Sequence, residues 1–83
     1  MKVQLKFFAS LREALGAGGE LDVPEGATVG DVRRLLQQRD AVHAQALADG
    51  RAVRAAVNQE MCDAATPVPA GAELAFFPPV TGG

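Results

Sequence analysis

The best helix in this chain is TVGDVRRLLQQR, residues 28–39. Val29, Val32, Leu35 and Leu36 form a single apolar stripe, with Arg33, Arg34, Gln37 and Gln38 turned to water. Thr28 and Asp31 stand at the spacing of a capping box, with Asp in place of the usual Glu, so the helix start is marked as well. One principal helix covers one face of one sheet. The remaining segments must build that sheet, and its second face is left to water or to a partner.

Those segments have strand spacing. Val3, Leu5 and Phe7 share one parity against Lys2, Gln4 and Lys6, which predicts a half-buried strand over residues 2–8, with Phe8 apolar on the polar side. Ser10 is placed to cap a short helix, SLREALG, whose Leu11, Ala14 and Leu15 share a face, and Gly16, Gly18 and Gly19 end it. Leu21 and Val23 suggest a second strand before the turn at Pro24 and Gly26. Residues 40–49 read as partly helical, stopped by Gly50, and residues 53–58 as a strand through Val53, Ala55 and Val57. A turn-rich connection with a short strand at Met61 leads through PVPAGAE to the last strand, ELAFF. The class is α+β: a mixed sheet on one principal helix.

Composition sets limits on function. The chain has 83 residues, room for one domain, and its 48% hydrophobic content includes sixteen alanines, so the core is modest. A net charge of −2 with no basic stripe excludes a nucleic-acid footprint. The single cysteine, Cys62, excludes an internal disulfide and a cysteine-rich metal site, and no metal ligands are expected. MKVQLKFF lacks a signal peptide's uninterrupted apolar region and no stretch is long enough for a bilayer, so the expectation is a cytoplasmic protein away from membranes.

The end of the sequence is the unusual part: FFPPVTGG. Pro78 and Pro79 cannot donate to a β ladder, so they end pairing after Phe77 and favour extended backbone. Residues 78–83 then reach roughly 20 Å. Gly82 and Gly83 carry no Cβ and fit a channel too narrow for side chains. A stiff base, a slim tip and a free carboxylate suit delivery of the Gly83 carboxylate into another protein's active site. The alternative is an ordinary glycine-rich terminus.

AVNQ at 56–59, AFFPPVTGG at 75–83 and the KFFASLRE start at 6–13 resemble the small-subunit (MoaD) family of molybdopterin synthase, ubiquitin-like sulfur carriers. The resemblance runs the length of the chain, and the terminal nonapeptide is its specific part. It implies a β-grasp domain over residues 1–77 and an extended tail over 78–83. No bound cofactor is implied. A MoeB-like activating enzyme using ATP and Mg adenylylates Gly83, and sulfur transfer makes a thiocarboxylate. Pro78, Pro79, Val80, Thr81, Gly82 and Gly83 then insert into a MoaE-like large subunit, where sulfur passes to cyclic pyranopterin monophosphate.

The resemblance also implies that the first and last strands are neighbours, which would bring Phe8 and Phe77 together on the open face, with Met61 completing a partner patch. The alternative is a loop folded over these rings as a second small core. Arg12 stands where the family tends to carry Arg, and either contacts the partner or tail or is simply solvated. His43 reads as a surface or partly packed residue with no acid nearby in a recognisable motif, and Cys62 as structural rather than a persulfide carrier. Other functions remain open: a ubiquitin-like protein modifier, a carrier for another sulfur pathway, or a non-covalent interaction module. The FFPPVTGG and VNQ context favours the synthase subunit over the related thiamine-pathway carrier.

Overall fold

Strand β1, Lys2–Phe7, alternates strictly between exposed and buried residues, so Val3, Leu5 and Phe7 all face one core. The computed structural model describes residues 1–79. Five strands follow the order β2-β1-β5-β3-β4, with β2 at Gly18–Asp22, β3 at Arg54–Val57, β4 at Glu60–Cys62 and β5 at Glu73–Phe77. The central pair β1 and β5 is parallel, with Phe7 opposite Phe76, and every other pairing is antiparallel. Helices α1 (Ala9–Leu15), α2 (Val29–Gln37) and α3 (Ala41–Ala46) contribute to one core with Leu74 and Phe76 of the sheet. This is the β-grasp fold.

The start of α2 is fully satisfied. Thr28 Oγ1 accepts from the Asp31 amide at 3.2 Å and Asp31 Oδ2 accepts from the Thr28 amide at 3.0 Å, completing the capping box. The amides of Val29 and Gly30, otherwise orphaned at a helix start, donate to the carbonyls of Thr66 and Ala64 at 2.9 Å each. The stripe on α2 is narrower than its sequence suggested. Val29, Val32 and Leu36 are buried, but Leu35 is 40% exposed, because it sits on the stripe's margin beside Pro24, Ala27 and Arg34. On the other margin Arg33 and Gln37 do not face water: both bond backbone after α3.

The expected Ser10 cap does not form. Phe8 occupies the cap position with no side-chain bond, and its carbonyl takes the amides of Leu11 and Arg12 at 3.1 and 3.3 Å. The β1 ladder runs straight into α1 through Ala9 at φ 53, which leaves Ser10 already inside the first turn. Ala14 is exposed, and Leu11 is the buried residue of α1.

Strand β3 starts at Arg54 rather than Val53. Its partner there is Phe77, and Pro78 has no N–H to extend the pairing. At the far end Asn58 and Gln59, at φ 48 and 69, make the two-residue turn into β4 that antiparallel twist favours. Asn58 is also tied to β5: its amide donates to the Glu73 carbonyl at 2.8 Å, and its Oδ1 accepts from the Glu73 amide at 3.0 Å.

Gly18, at φ +113 opposite Lys6, has no room for a side chain, since a Cβ there would lie 2.2 Å from the Leu5 carbonyl oxygen. Gly18→Ala is expected to destabilise the fold by about 1–3 kcal/mol. A lowered urea midpoint with an unchanged m-value would show it.

Two carboxylates cap helices. Backbone hydrogen bonds, from Thr28 to Asp31 and from His43 to Asp40, hold both carboxyls below the ordinary value. A depressed folded pKa stabilises above the unfolded value and is lost as pH falls through the folded one. Melting temperature should therefore fall as pH drops below about 4. The Asp31→Asn, Asp40→Asn double variant keeps its caps and should show a shallower acid limb in melts recorded across that range.

Candidate functional site at the root of the tail

The sheet face away from the helices is divided. On its β2–β1 side, polar groups pair with one another: Lys2 Nζ with Glu20 at 2.9 Å, Gln4 Nε2 with Glu20 at 3.3 Å, and Lys6 Nζ with Glu73 at 3.0 Å. Hydrogen bonds with Lys2 and then Gln4 hold the Glu20 carboxyl below the usual carboxylate range. On the β5–β3–β4 side the register sets Ala75, Ala56 and Met61 in one row across three strands. Ala75 and Ala56 are buried yet lie outside the main core cluster, forming a shallow apolar floor.

Phe77 and Phe8 border that floor. The Phe8 amide donates to the Phe76 carbonyl at 3.2 Å, which carries the parallel ladder one residue past β1 and sets Phe8 beside Phe77. Phe8 is extended, so its side chain alternates away from that of Phe7, and it is 44% exposed, with Phe77 half-buried. Met61 is 57% exposed but lies two strands from β5, roughly 10 Å away by strand spacing. Ala56 and Arg54 stand between, so Met61 borders the same floor from the far side rather than joining the two rings. No loop of the described residues covers either ring enough to bury it. Arg12, one turn into α1, is exposed, and no described carboxylate pairs with it.

Pro78 and Pro79 are partly buried rather than free of the body. They line a groove of about 240 Å³ with Ser10, Leu11, Ala46, Arg51, Ala52 and Val53. The tail therefore leaves the domain along a wall, which corrects the expectation that it points away from Pro78 onward. Val80, Thr81, Gly82 and Gly83 lie outside the described residues.

Two residues considered from sequence are placed elsewhere. His43 does have an acid beside it: Nδ1 lies 2.8 Å from Asp40 Oδ1, the ring is 12% exposed, and it meets the edge of Phe7 at 6.4 Å. Asp40 caps the helix that carries His43, so the pairing is local to the start of α3, and His43 does not line the groove of Pro78 and Pro79. Cys62 packs against the core, and burial pushes its thiol up, so little thiolate is available for sulfur chemistry. Sequence reasoning missed the groove wall at 51–53 and the side chains that hold it, because a polar residue on a helix margin carries no sign of which backbone it will bond. No helix of the described residues is long and apolar enough to cross a membrane.

Known proteins are similar to this chain over nearly its whole length. The chain is 38% identical over 81 residues to the molybdopterin synthase sulfur carrier subunit of Escherichia coli, covering 98% of this chain and 99% of that one. It is similar to the crystal structure of small archaeal modifier protein 1 of Haloferax volcanii, with a TM-score of 0.80 and 32% identity over 95% of this chain and 98% of that one. The fold is also that of a Helicobacter pylori chain solved in the complex of subunits 1 and 2 of molybdopterin-converting factor, with a TM-score of 0.68 at 23% identity over the full length of both. A family model matches residues 5–83, and the chain belongs to the ThiS family.

Proposed function

We infer that this chain is the sulfur carrier subunit of a molybdopterin synthase. The observation that carries the reading is its likeness to the Escherichia coli sulfur carrier subunit along nearly the whole of both chains. The tail root supports it, because a proline-stiffened strand end beside the exposed Phe8 and half-buried Phe77 rings gives a partner something to hold while the tail enters it.

The chemistry takes place at the Gly83 carboxylate. A carboxylate is a poor acyl donor until one oxygen becomes part of a leaving group. Attack of that oxygen on the α-phosphorus of ATP, with Mg on the phosphates, releases pyrophosphate and leaves an acyl adenylate. Hydrosulfide displaces AMP to give a thiocarboxylate directly. A persulfide instead displaces it to give an acyl disulfide, whose S–S bond a thiol then cleaves to leave the thiocarboxylate and a mixed disulfide. The thiocarboxylate sulfur passes to cyclic pyranopterin monophosphate with return of the Gly83 carboxylate on hydrolysis, and two such transfers build the dithiolene. The chain supplies reach and a docking face, and the acids and bases belong to its partners. Those partners are an adenylylating enzyme and the synthase large subunit, and the complex of subunits 1 and 2 from Helicobacter pylori supports a two-subunit assembly. Phe8, Phe77, Met61 and Arg12 form the face both would use.

A second reading rests on the likeness to the Haloferax volcanii modifier protein: Gly83 joined by isopeptide bonds to lysines of other proteins. Both readings need the same adenylate and diverge at the next nucleophile. Intact mass of the chain purified from its own cells separates them. A species heavier by the difference between sulfur and oxygen is the expected result, whereas ladders of conjugates without that species would favour the modifier.

A further inference from the structure

We propose that Arg33 is a positioning residue for the tail, acting through the loop that walls its exit. This rests on the carrier reading above and adds to it a device within the domain. Arg33 projects from the margin of α2, and its guanidinium spans three carbonyls of the segment after α3. Nε donates to Leu47 at 2.8 Å, and Nη2 donates to Ala48 at 2.6 Å and to Arg51 at 3.1 Å. Gln37, one turn on, adds a bond from Nε2 to the same Leu47 carbonyl at 2.6 Å and another to Asp49 Oδ1 at 2.8 Å. A planar fork over three acceptors fixes a loop in a way that one flexible ammonium cannot.

The clamped loop leads directly to the tail. Arg54 is the register partner of Phe77 in an antiparallel pair, so the residues preceding Arg54 run alongside those following Phe77. That continuation sets Val53 beside Pro78 and Ala52 beside Pro79, and these four residues share one groove. The prolines have no N–H with which to extend the ladder, so backbone pairing cannot hold the tail's first residues in direction. The wall must do it, and the wall is held by Arg33.

The wall sets the position and direction from which the last four residues, at most about 13 Å of chain, set out. Misplacement of a reacting atom by about 1 Å can cost a hundredfold in rate. Docking through the open face does not depend on the wall, so the loss should fall on turnover rather than on binding.

The test is ATP–pyrophosphate exchange by the cognate adenylylating enzyme, run with the full-length wild type, Arg33→Met and Arg33→Lys. Thermal melting and amide hydrogen exchange at residues 48–53 accompany it. Arg33→Met keeps an apolar stem without donors. It is expected to exchange faster at 48–53 and to lose about tenfold or more in kcat, with KM within twofold of wild type. Arg33→Lys should be folded and intermediate in kcat, and it carries the test if the Met variant melts. A folded variant with a loosened loop and wild-type kcat overturns the proposal, as does Arg33→Met with unchanged exchange at 48–53. A rise in KM alone also overturns it, since that would place Arg33 in docking. If wild type is never adenylylated, the carrier reading falls and the clamp's role falls with it. Active wild type beside an equally active Arg33→Met removes the clamp alone.

Discussion

Phe76→Ala is expected to unfold this domain, whereas Phe77→Glu, one residue later, is expected to leave it folded and unable to bind the synthase large subunit. Phe76 is 1% exposed and stacks on Phe7, its partner across the parallel pair, with ring centroids 6.1 Å apart and planes 21° apart. Truncating a buried Phe costs about 3–5 kcal/mol. A domain of this size has roughly 4–12 kcal/mol in total, so Phe76→Ala and Phe7→Ala each take a large share. Phe77 and Phe8 point to the opposite face, where a carboxylate reaches water and no buried-charge penalty arises. Phe8→Glu and Phe77→Glu should therefore melt near wild type and lose partner binding. Thermal melting paired with a binding assay reads both outcomes. Should Phe77→Glu melt far below wild type, the floor beside the tail is core and the docking face lies elsewhere.

The second large effect is at the other end of the tail. Adding one residue after Gly83, or deleting Gly83, should abolish thiocarboxylate formation while leaving the melt in place. An added residue converts the reacting carboxylate into an amide, which cannot attack ATP, and sets a side chain where the tip must be slim. Deletion leaves a carboxylate that falls about 3.5 Å short of the same position, beyond what an in-line attack tolerates. The core, from Val3 to Phe76, is untouched by either change. Mass spectrometry after incubation with the activating enzyme, ATP and a sulfur donor gives the answer. Normal conversion of the extended chain without prior trimming would place the chemistry elsewhere.

Much of the frame was legible because it rests on local periodicity. The alternation of Val3, Leu5 and Phe7, the Thr28–Asp31 box and the ELAFF strand each carry their signal within a few residues, and each formed where expected. What was not legible depends on neighbours distant in sequence. Ser10 has the chemistry of a cap, but the pairing of Phe8 with Phe76 carries the strand so far that the helix begins before it. Leu35 belongs to the stripe by spacing, and only the placement of the other elements leaves it outside. Arg33 and Gln37 look like solvent-facing residues until a loop ten or more positions away passes under them. The polar residues of AVNQ carried a resemblance in sequence, and the structure supplies its physical content: Asn58 is at once a left-handed turn residue and a side-chain clasp on β5.

The parallel pairing of β1 with β5 joins the first strand of the fold to the last across the middle of the sheet. Neither can be buried before the other exists, so the core closes late and over a long loop, at a cost in entropy and speed. A chain interrupted before Glu73 lacks the central strand, so β1 keeps only β2 and β3 keeps only β4, and no partial domain can stand in for the whole. Folding therefore acts as a completeness check on synthesis. A folded molecule has already been translated through Phe77, to within six residues of the glycine that the carrier reading makes the reacting end.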